Sequence, residues 1–164
     1  MTTAPRPQTL RMRMDLSGPA LSVAPPLPRF TWATFHPARH AAQAHELLSQ
    51  AYAASGGRVG DFQTWWTDLS HDPEYEADLC FPAADIKTGS LAAFARCWSS
   101  GFIKDIAVAE GARGTDLGRA TMLRIFKTFQ QRGFACVDLK VTTANPSGAA
   151  ESYRTLGMSV LEKF

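Results

Sequence analysis

The sequence predicts one domain of the α/β (α+β) class, in which helices cover the faces of a single mixed sheet. Two observations support this prediction. Apolar runs of strand length alternate with stretches of helical periodicity, and from residue 29 onward the order is β-α-α-β-β-β-α-β-α-β. The chain has 164 residues, 45% of them hydrophobic, which suffices for one core and is too few for two comfortable domains.

The first 28 residues differ in composition from the rest. They hold six of the ten prolines and show no amphipathic period, so we expect an extended N-terminal segment over 1–28 and the folded domain over 29–164. Within this segment, residues 10–16 (LRMRMDL) alternate apolar and basic side chains, which predicts an edge strand.

The domain begins with one strand and two helices. Residues 29–35 (RFTWATF) are aromatic and β-branched, as is typical of a strand. After Pro37, apolar residues follow one helical face as far as Gly56 and Gly57, which predicts a helix that ends there. Asp61 opens DFQTWWTDL, where it predicts the cap of a second, short helix.

The remainder of the domain supplies five strands and two helices. The predicted strands are 77–83, 90–98, 102–109, 134–141 and 158–164. A long helix lies between the third and fourth of these and ends at Gly133, and a final helix covers 145–157.

Charge and hydropathy exclude several classes of protein. Seventeen Lys and Arg against fifteen Asp and Glu give a formal charge of +2, without the concentrated basic face of a nucleic-acid-binding protein. No apolar run is long enough to cross a bilayer, which predicts no membrane span. The N-terminus lacks the apolar core of a secretory signal, so we expect a cytoplasmic protein.

The cysteines and histidines predict no metal site. Cys80, Cys97 and Cys136 form no CxxC pair and lie in apolar, strand-like runs, as buried structural thiols do. His36 and His40 are four residues apart, but Pro37 between them indicates the beginning of a helix rather than a metal-binding helical face.

A loop between a strand and a helix, ARGTDLGRA at 112–120, predicts a diphosphate-binding site. The amides of a first helical turn have no partner within the helix, and the helix dipole places partial positive charge there. Arg113 and Arg119 add positive charge, and glycine permits close approach to the backbone. The spacing matches neither the P-loop of ATP-binding proteins nor the GxGxxG of dinucleotide-binding proteins.

Two stretches of the chain resemble the signature motifs of the Gcn5-related N-acetyltransferase (GNAT) superfamily. IAVAEGARGTDLGRATML (106–123) is similar to its acetyl-CoA-binding motif, and ANPSGAAESYRTLGM (144–158) is similar to its second signature. The order and spacing of the two stretches, and the order of elements over 29–164, also match. The resemblance implies a mostly antiparallel mixed sheet, the acyl-CoA N-acyltransferase fold, and acetyl-CoA as acyl donor without a metal.

The resemblance also implies a role for each residue of the donor site. The pantetheine arm would pair along Ile106, Ala107 and Val108, and the Ile106 amide would polarise the thioester carbonyl. Tyr153 would protonate the departing thiolate as general acid, and Asn145 would hydrogen-bond the arm. The pyrophosphate would bind the amides of Arg113, Gly114, Thr115, Asp116, Leu117, Gly118 and Arg119. The alternatives are a core aromatic for Tyr153 and a helix cap for Asn145.

Asp116 departs from the motif, because it stands where the first glycine is expected. We expect it to cap the following helix, where its charge suits the dipole. The alternative is that its carboxylate competes with the pyrophosphate. Met158 is a second departure, in place of the usual Phe.

The general base and the acceptor site are less defined. Lys104 occupies the place where many relatives have Glu or His. A lysine can act as a base there only if burial lowers its pKa. The alternatives are that Lys104 is an ordinary solvated lysine or that it contacts a carboxylate of the substrate. Asp105 should point to the opposite face by strand alternation. Further candidates are solvent water and, in the segment bordering the acceptor, Glu74, Glu76 and Asp78. At most one of Trp65 and Trp66 should line the acceptor pocket, with Trp65 as the candidate, and the other should be core.

Three functions fit these features. The first is an acetyl-CoA-dependent N-acetyltransferase that acts on a primary amine of a small molecule or a peptide. The second is a non-catalytic acyl-CoA-binding module, for which Asp116 and the missing base leave room. The third is a protein-interaction domain that kept the fold and lost the ligand. The acceptor and the oligomeric state, a homodimer included, stay open.

Overall fold

The computed structural model describes residues 3, 6–22, 27–145 and 148–164. Among these residues, seven strands and four α-helices form one layered domain. In chain order they are β1 (Thr9–Asp15), β2 (Phe30–Trp32), α1 (Pro37–Ala54), α2 (Phe62–His71), β3 (Cys80–Asp85), β4 (Leu91–Trp98), β5 (Phe102–Val108), α3 (Leu117–Gln131), β6 (Cys136–Thr142), α4 (Ala149–Thr155) and β7 (Ser159–Lys163).

The strands form a single mixed sheet in the order β2-β3-β4-β5-β6-β1-β7. All neighbouring pairs are antiparallel except β5 and β6, which are parallel. The predicted fold class is confirmed, and so is the predicted order of elements from residue 29 onward.

The first strand of the chain corrects the sequence prediction. β1 is not an edge strand, since it lies between β6 and β7 and pairs with both. Leu10 and Met12 are buried in the core on one face of the strand, while Arg11 and Arg13 bind Asp138 of β6 on the other. The strand within the N-terminal segment is therefore an interior strand of the same sheet.

The chain that leaves β1 is held against α3. Gln130 of α3 accepts the backbone N–H of Leu21 at 2.8 Å and donates to the carbonyl of Leu16 at 3.2 Å, and the Lys127 ammonium donates to the carbonyl of Leu21 at 3.3 Å. Of the proline cluster at 24–28, residues 24–26 lie outside the described residues. The N-terminal segment thus packs on the domain as far as residue 22.

Helices cover the sheet in two layers. On one face, α1 and α2 pack over β3 to β5, and the Phe94 and Ala107 side chains point into this layer. On the other face, α3 buries its apolar side chains against β1, β4 and β6, together with Ala95 and Ile103. The side chain of Asp61 accepts the backbone N–H of Thr64 at 3.0 Å, which confirms the predicted cap of α2.

Two irregularities of β5 position the candidate site. Arg96 pairs with Asp105 and Cys97 with Ile103, so that Lys104 has no opposite partner and forms a β-bulge. On its other side, β5 pairs with β6 only at Phe102 and Ile103. Beyond residue 103 the two parallel strands separate, and an opening forms between them.

Candidate active site

A groove with a volume of about 700 Å³ lies at the opening between β5 and β6. Its walls are the last turn of α1, the second half of β5, the loop before α3 with the first turn of that helix, and α4. Of the residues predicted for the acyl donor, those that line it are Ile106, Ala107, Val108, Arg113, Gly114, Asp116, Leu117, Gly118, Arg119, Asn145 and Tyr153.

Thr115 is the predicted donor-site residue that does not line the groove. Its hydroxyl donates instead to the carbonyl of Ala112, within the loop. This hydrogen bond shapes the loop from inside, so the side chain of Thr115 is occupied by a local contact.

The edge of β5 that faces the groove offers backbone hydrogen-bonding groups. The N–H of Ala109 donates to the carbonyl of Ala92 on β4 at 2.7 Å. Because successive residues of a strand point their N–H and C=O groups to opposite sides, those of Ile106 and Val108 face away from β4. They face the opening, where β5 has no strand partner among the described residues. An extended ligand can therefore pair along this edge as an added strand.

The loop before α3 presents the first amides of a helix to the groove. Two residues of this loop have left-handed backbone, Gly114 at φ 76° and Asp116 at φ 65°. α3 begins at Leu117, directly after Asp116. Arg113 and Arg119 are exposed on either side of these amides. Free amides, the positive end of a helix dipole and two guanidinium groups together favour a bound anion.

Asp116 corrects the expectation of a capping side chain. It occupies the N-cap position of α3, but its side chain makes no capping hydrogen bond. A capping carboxylate normally requires an extended backbone, and the left-handed conformation of Asp116 does not place the side chain for that contact. Asp116 is the one non-glycine residue with positive φ among those described. It therefore adopts a backbone conformation that glycine favours.

The second predicted motif leads into α4. The N-cap residue of this helix is Gly148, so Asn145 is not at the cap position and lies in the connection that lines the groove. Pro146 and Ser147 of this motif lie outside the described residues. Tyr153 is half-buried against the α3 layer, and burial raises the pKa of its hydroxyl to about 12. The phenol is therefore protonated at neutral pH and able to donate.

A buried polar cluster lies on the α1 side of β5. Asp105 is 6% exposed, and its carboxylate accepts hydrogen bonds from the Tyr52 hydroxyl of α1 and from Nε of Arg96 on β4. The Arg96 guanidinium also lies 5.9 Å from the ring centre of Trp65 and 5.0 Å from that of Trp98. In this arrangement each buried charge has a partner of opposite sign, and either charge would be costly to bury without that partner.

The sequence did not identify Tyr52 and Arg96 as part of the site. One signal was present, because Arg96 is the single charged residue in the apolar strand LAAFARCW. A lone charge in a buried strand requires a partner. The partner is Asp105, which lies on the next strand and directly opposite.

The residues proposed for the acceptor are more dispersed. Lys104 is exposed at the bulge, and Glu76 forms an ion pair with Arg132 at 2.8 Å. Trp65 is 7% exposed within the α1–α2 layer, whereas Trp66 is only partly buried. Lys104, Trp65 and Glu76 are all absent from the lining of the groove as the described residues form it. The structure therefore does not bring these three together.

The described residues contain no cluster of His, Cys, Asp or Glu that could hold a metal ion. None of the described helices combines the length and apolarity that a membrane span requires.

Comparison with known proteins matches this chain to one family. The model of the "Acetyltransferase (GNAT) family" matches residues 41–158. No curated protein is significantly similar to the sequence.

Solved structures share the fold at low sequence identity. A GCN5-related N-acetyltransferase from Sphaerobacter thermophilus has a TM-score of 0.82 and 21% identity over 98% of this chain, which spans half of that protein. The ribosomal-protein-S18-alanine N-acetyltransferase of Escherichia coli has a TM-score of 0.61 and 23% identity, covering 78% of this chain and 76% of its own. A chain of the NatC complex bound to Gag peptide and CoA has a TM-score of 0.59 and 14% identity, covering 79% of this chain and 84% of its own.

Proposed function

Because this chain belongs to the acetyltransferase (GNAT) family, we propose that it transfers the acetyl group of acetyl-CoA to a primary amine of a small molecule or a peptide. The observation that carries the proposal is the groove between β5 and β6. It joins an unpaired strand edge, the first amides of a helix and a tyrosine hydroxyl in one place. The strand edge fits the pantetheine arm of an acyl-CoA, the helix amides fit its diphosphate, and the tyrosine hydroxyl fits its leaving sulfur.

The donor site is built by two adjacent segments of the chain. The edge of β5 at Ile106 and Val108 would pair with the amide groups of the pantetheine arm. The amides at the start of α3 would bind the pyrophosphate, with Arg113 and Arg119 supplying charge. Asn145 would contact the arm from the opposite side of the groove.

The reaction would use polar groups fixed before the substrates bind. Acetyl-CoA supplies an activated acetyl group as a thioester. The N–H of Ile106 would stabilise the negative charge that develops on the thioester oxygen when the amine attacks. The Tyr153 hydroxyl would donate its proton to the sulfur as the carbon–sulfur bond breaks. Both groups line the same groove.

A non-catalytic acyl-CoA-binding module is the second candidate. Two observations favour it: Asp116 places a carboxylate in the wall of the anion site, and Lys104 stands exposed at the family's usual base position. A binding module needs the β5 edge and the α3 amides but has no use for a proton donor at Tyr153.

A turnover screen tests the proposal. The protein is incubated with acetyl-CoA and a panel of amino acids, polyamines, aminoglycosides and peptides, and the released thiol is measured. We expect release that depends on one class of amine and is abolished in Gly118→Glu. If acetyl-CoA stabilises the protein against heat but no amine releases thiol, the binding module is the correct function.

A further inference from the structure

The Tyr52–Asp105–Arg96 cluster has no part in the donor site described above. Tyr52 donates to one oxygen of the Asp105 carboxylate at 2.5 Å, and Arg96 donates to the other. We propose that Tyr52 and Asp105 form a proton relay that accepts the proton of the acceptor amine, with the Tyr52 hydroxyl in contact with that amine. The inference rests on the proposed acetyl transfer and assigns the general base that the sequence left open.

The position of the pair relative to the reacting carbonyl supports the relay. Asp105 immediately precedes Ile106, so standard bond lengths hold its carboxylate within about 6 Å of the Ile106 amide nitrogen. The Tyr52 hydroxyl is 2.5 Å from one oxygen of that carboxylate, so it lies within about 9 Å of the same nitrogen. An amine that attacks a thioester carbon beside Ile106 is therefore in the neighbourhood of these oxygens, which a direct or water-mediated hydrogen bond can bridge.

The groove extends to the helix that carries Tyr52. Ala51 and Ala54 of the last turn of α1 line it. Tyr52 lies in this turn and packs in the α1–α2 layer, whereas Tyr153 packs in the α3 layer on the opposite face of the sheet. The two tyrosines thus lie on opposite faces of the sheet, Tyr52 on the face suited to the incoming amine and Tyr153 on the face suited to the departing sulfur. Tyr52 follows Ala51 in the chain, which lines the groove, although Tyr52 and Asp105 themselves are not among its lining residues.

The electrostatic environment keeps the relay in a usable state. Burial, followed by the charge of Asp105 and its hydrogen bond, raises the pKa of the Tyr52 hydroxyl well above its ordinary value, while Arg96 opposes this shift. Tyr52 is therefore neutral at pH 7, with a proton to pass and a lone pair to receive one.

Other titratable groups surround the pair. On the elements that pack against the pair they are Cys80 on β3, Arg96 and Cys97 on β4, and His45 on α1, whose ring contacts that of Trp65 at a tilt of 55°. Burial raises the pKa of the Cys80 thiol to about 12 and raises that of Cys97 well above its ordinary value. Both thiols are therefore protonated at neutral pH.

The acceptor enters the reaction in its ammonium form. One N–H bond of the ammonium breaks, its proton forms a bond to the Tyr52 oxygen, and the original Tyr52 proton moves to the carboxylate of Asp105. The nitrogen lone pair that this step frees forms a bond to the acetyl carbon. The carbon–sulfur bond breaks with its electron pair on sulfur, which takes the proton of Tyr153. The second proton that the nitrogen loses and the proton on Asp105 pass to solvent, and Tyr153 regains a proton from solvent.

Tyr52→Phe tests the relay, with Tyr75→Phe as the matched control. Tyr75 is a partly buried tyrosine of the same layer that meets the Trp66 ring edge to face and has no hydrogen bond to Asp105. With the most active amine of the screen, kcat/KM is measured from pH 6 up to the pKa of that amine. Acetyl-CoA affinity is measured by calorimetry for each variant.

A relay predicts a pH-dependent defect. Two pH units below the amine pKa, Tyr52→Phe should lower kcat/KM by about 10²-fold. At the amine pKa the loss should fall below about threefold, because the nucleophile no longer carries the extra proton. Tyr75→Phe should follow the parent throughout.

Four results would overturn the relay. An equal loss at every pH, or a loss of acetyl-CoA affinity, would show that Tyr52 only holds α1 against β5. Full activity in Tyr52→Phe would remove Tyr52 from the reaction and leave the proposed function intact. A parent that releases no thiol with any amine would withdraw both proposals. Asp105→Asn is less informative alone, since it leaves Arg96 buried without its anion.

Discussion

Arg13 of β1 donates two hydrogen bonds to the Asp138 carboxylate of β6, from Nε at 2.7 Å and from Nη2 at 2.9 Å. Arg11 adds a third at 2.9 Å. Asp138 is 3% exposed, so this pair of arginines satisfies a buried charge and fixes β1 beside β6. The contact explains why an N-terminal strand of alternating basic residues lies inside the sheet.

Asp138→Asn should destabilise the protein by about 1–3 kcal/mol, since it weakens charged hydrogen bonds at a buried site. Urea denaturation monitored by circular dichroism measures the change. Asp15→Asn is the control, because Asp15 bonds only to Ser17 at the exposed end of the same strand. A loss no greater than that of the control would show that the arginines contribute little to the sheet.

The same contact predicts acid sensitivity. Burial opposes the ionisation of Asp138 most strongly, but the hydrogen bonds and charges of Arg13 and Arg11 outweigh it and lower the pKa of the carboxyl below its ordinary value. The stabilisation is therefore complete above about pH 4 and is lost as the pH falls through the lower folded-state pKa. Melting temperatures from pH 7 to pH 3 should converge for parent and Asp138→Asn at the acid end.

Asp116→Gly should raise the stability of the protein by up to about 1 kcal/mol. Glycine adopts φ 65° without the strain of a Cβ atom, although its greater freedom in the unfolded chain offsets part of the gain. Acetyl-CoA should bind at least as tightly as to the parent, because a carboxylate leaves the anion site. Asp116→Asn separates the effect of the charge on acetyl-CoA binding from the effect of backbone strain on stability, since it removes the charge and keeps a side chain. Weaker binding in both variants would show that the carboxylate helps to hold the ligand.

Gly118→Glu should abolish acetyl-CoA binding and leave the fold intact. A Cβ atom at this position meets only Val108 at 3.5 Å, an ordinary van der Waals contact, so the backbone accepts a side chain. The added carboxylate would occupy the space of the pyrophosphate and would repel its negative charge. Gly118→Ala is the steric control and should fold and retain part of the affinity. Calorimetry with acetyl-CoA and a thermal melt distinguish lost binding from lost structure.

Tyr153→Phe should lower kcat by about 10²–10⁴-fold with little change in acetyl-CoA affinity. The ring is retained, so packing against the α3 layer is preserved. With its pKa raised to about 12, the hydroxyl is protonated at every pH well below that value, and the defect should be constant from pH 6 to pH 9. An unchanged kcat, measured where chemistry limits the rate, would withdraw the assignment of a dedicated acid.

Acetyl-CoA should raise the melting temperature of the parent, and ATP and NAD should do so far less. A ligand that binds only the folded state stabilises it by about 2.7 kcal/mol at a hundredfold excess over Kd. ATP shares the phosphates but lacks an arm that pairs along β5. Equal stabilisation by ATP would contradict the pairing proposed for Ile106 and Val108.

The sequence predicted the parts of this protein that are contiguous in the chain. Strand β5, the loop at 112–120 and helix α3 follow one another, so local periodicity and turn residues identified the wall of the groove. The position of β1 was missed because alternation reveals a buried face but not the neighbouring strands. The Tyr52–Asp105 contact was missed because it joins two elements 53 residues apart in the chain.

The place of β1 in the sheet also determines when this strand can pair during biosynthesis. Arg11 is made 127 residues before Asp138, its partner on β6. Closing such a long loop is slow. Until it closes, β1 has no neighbouring strands while the ribosome completes the rest of the domain. During that interval the nascent chain exposes a strand with one apolar face and two unpaired edges, which can pair with other strands. The yield of folded protein should therefore depend on translation and chaperone supply more than its final stability suggests.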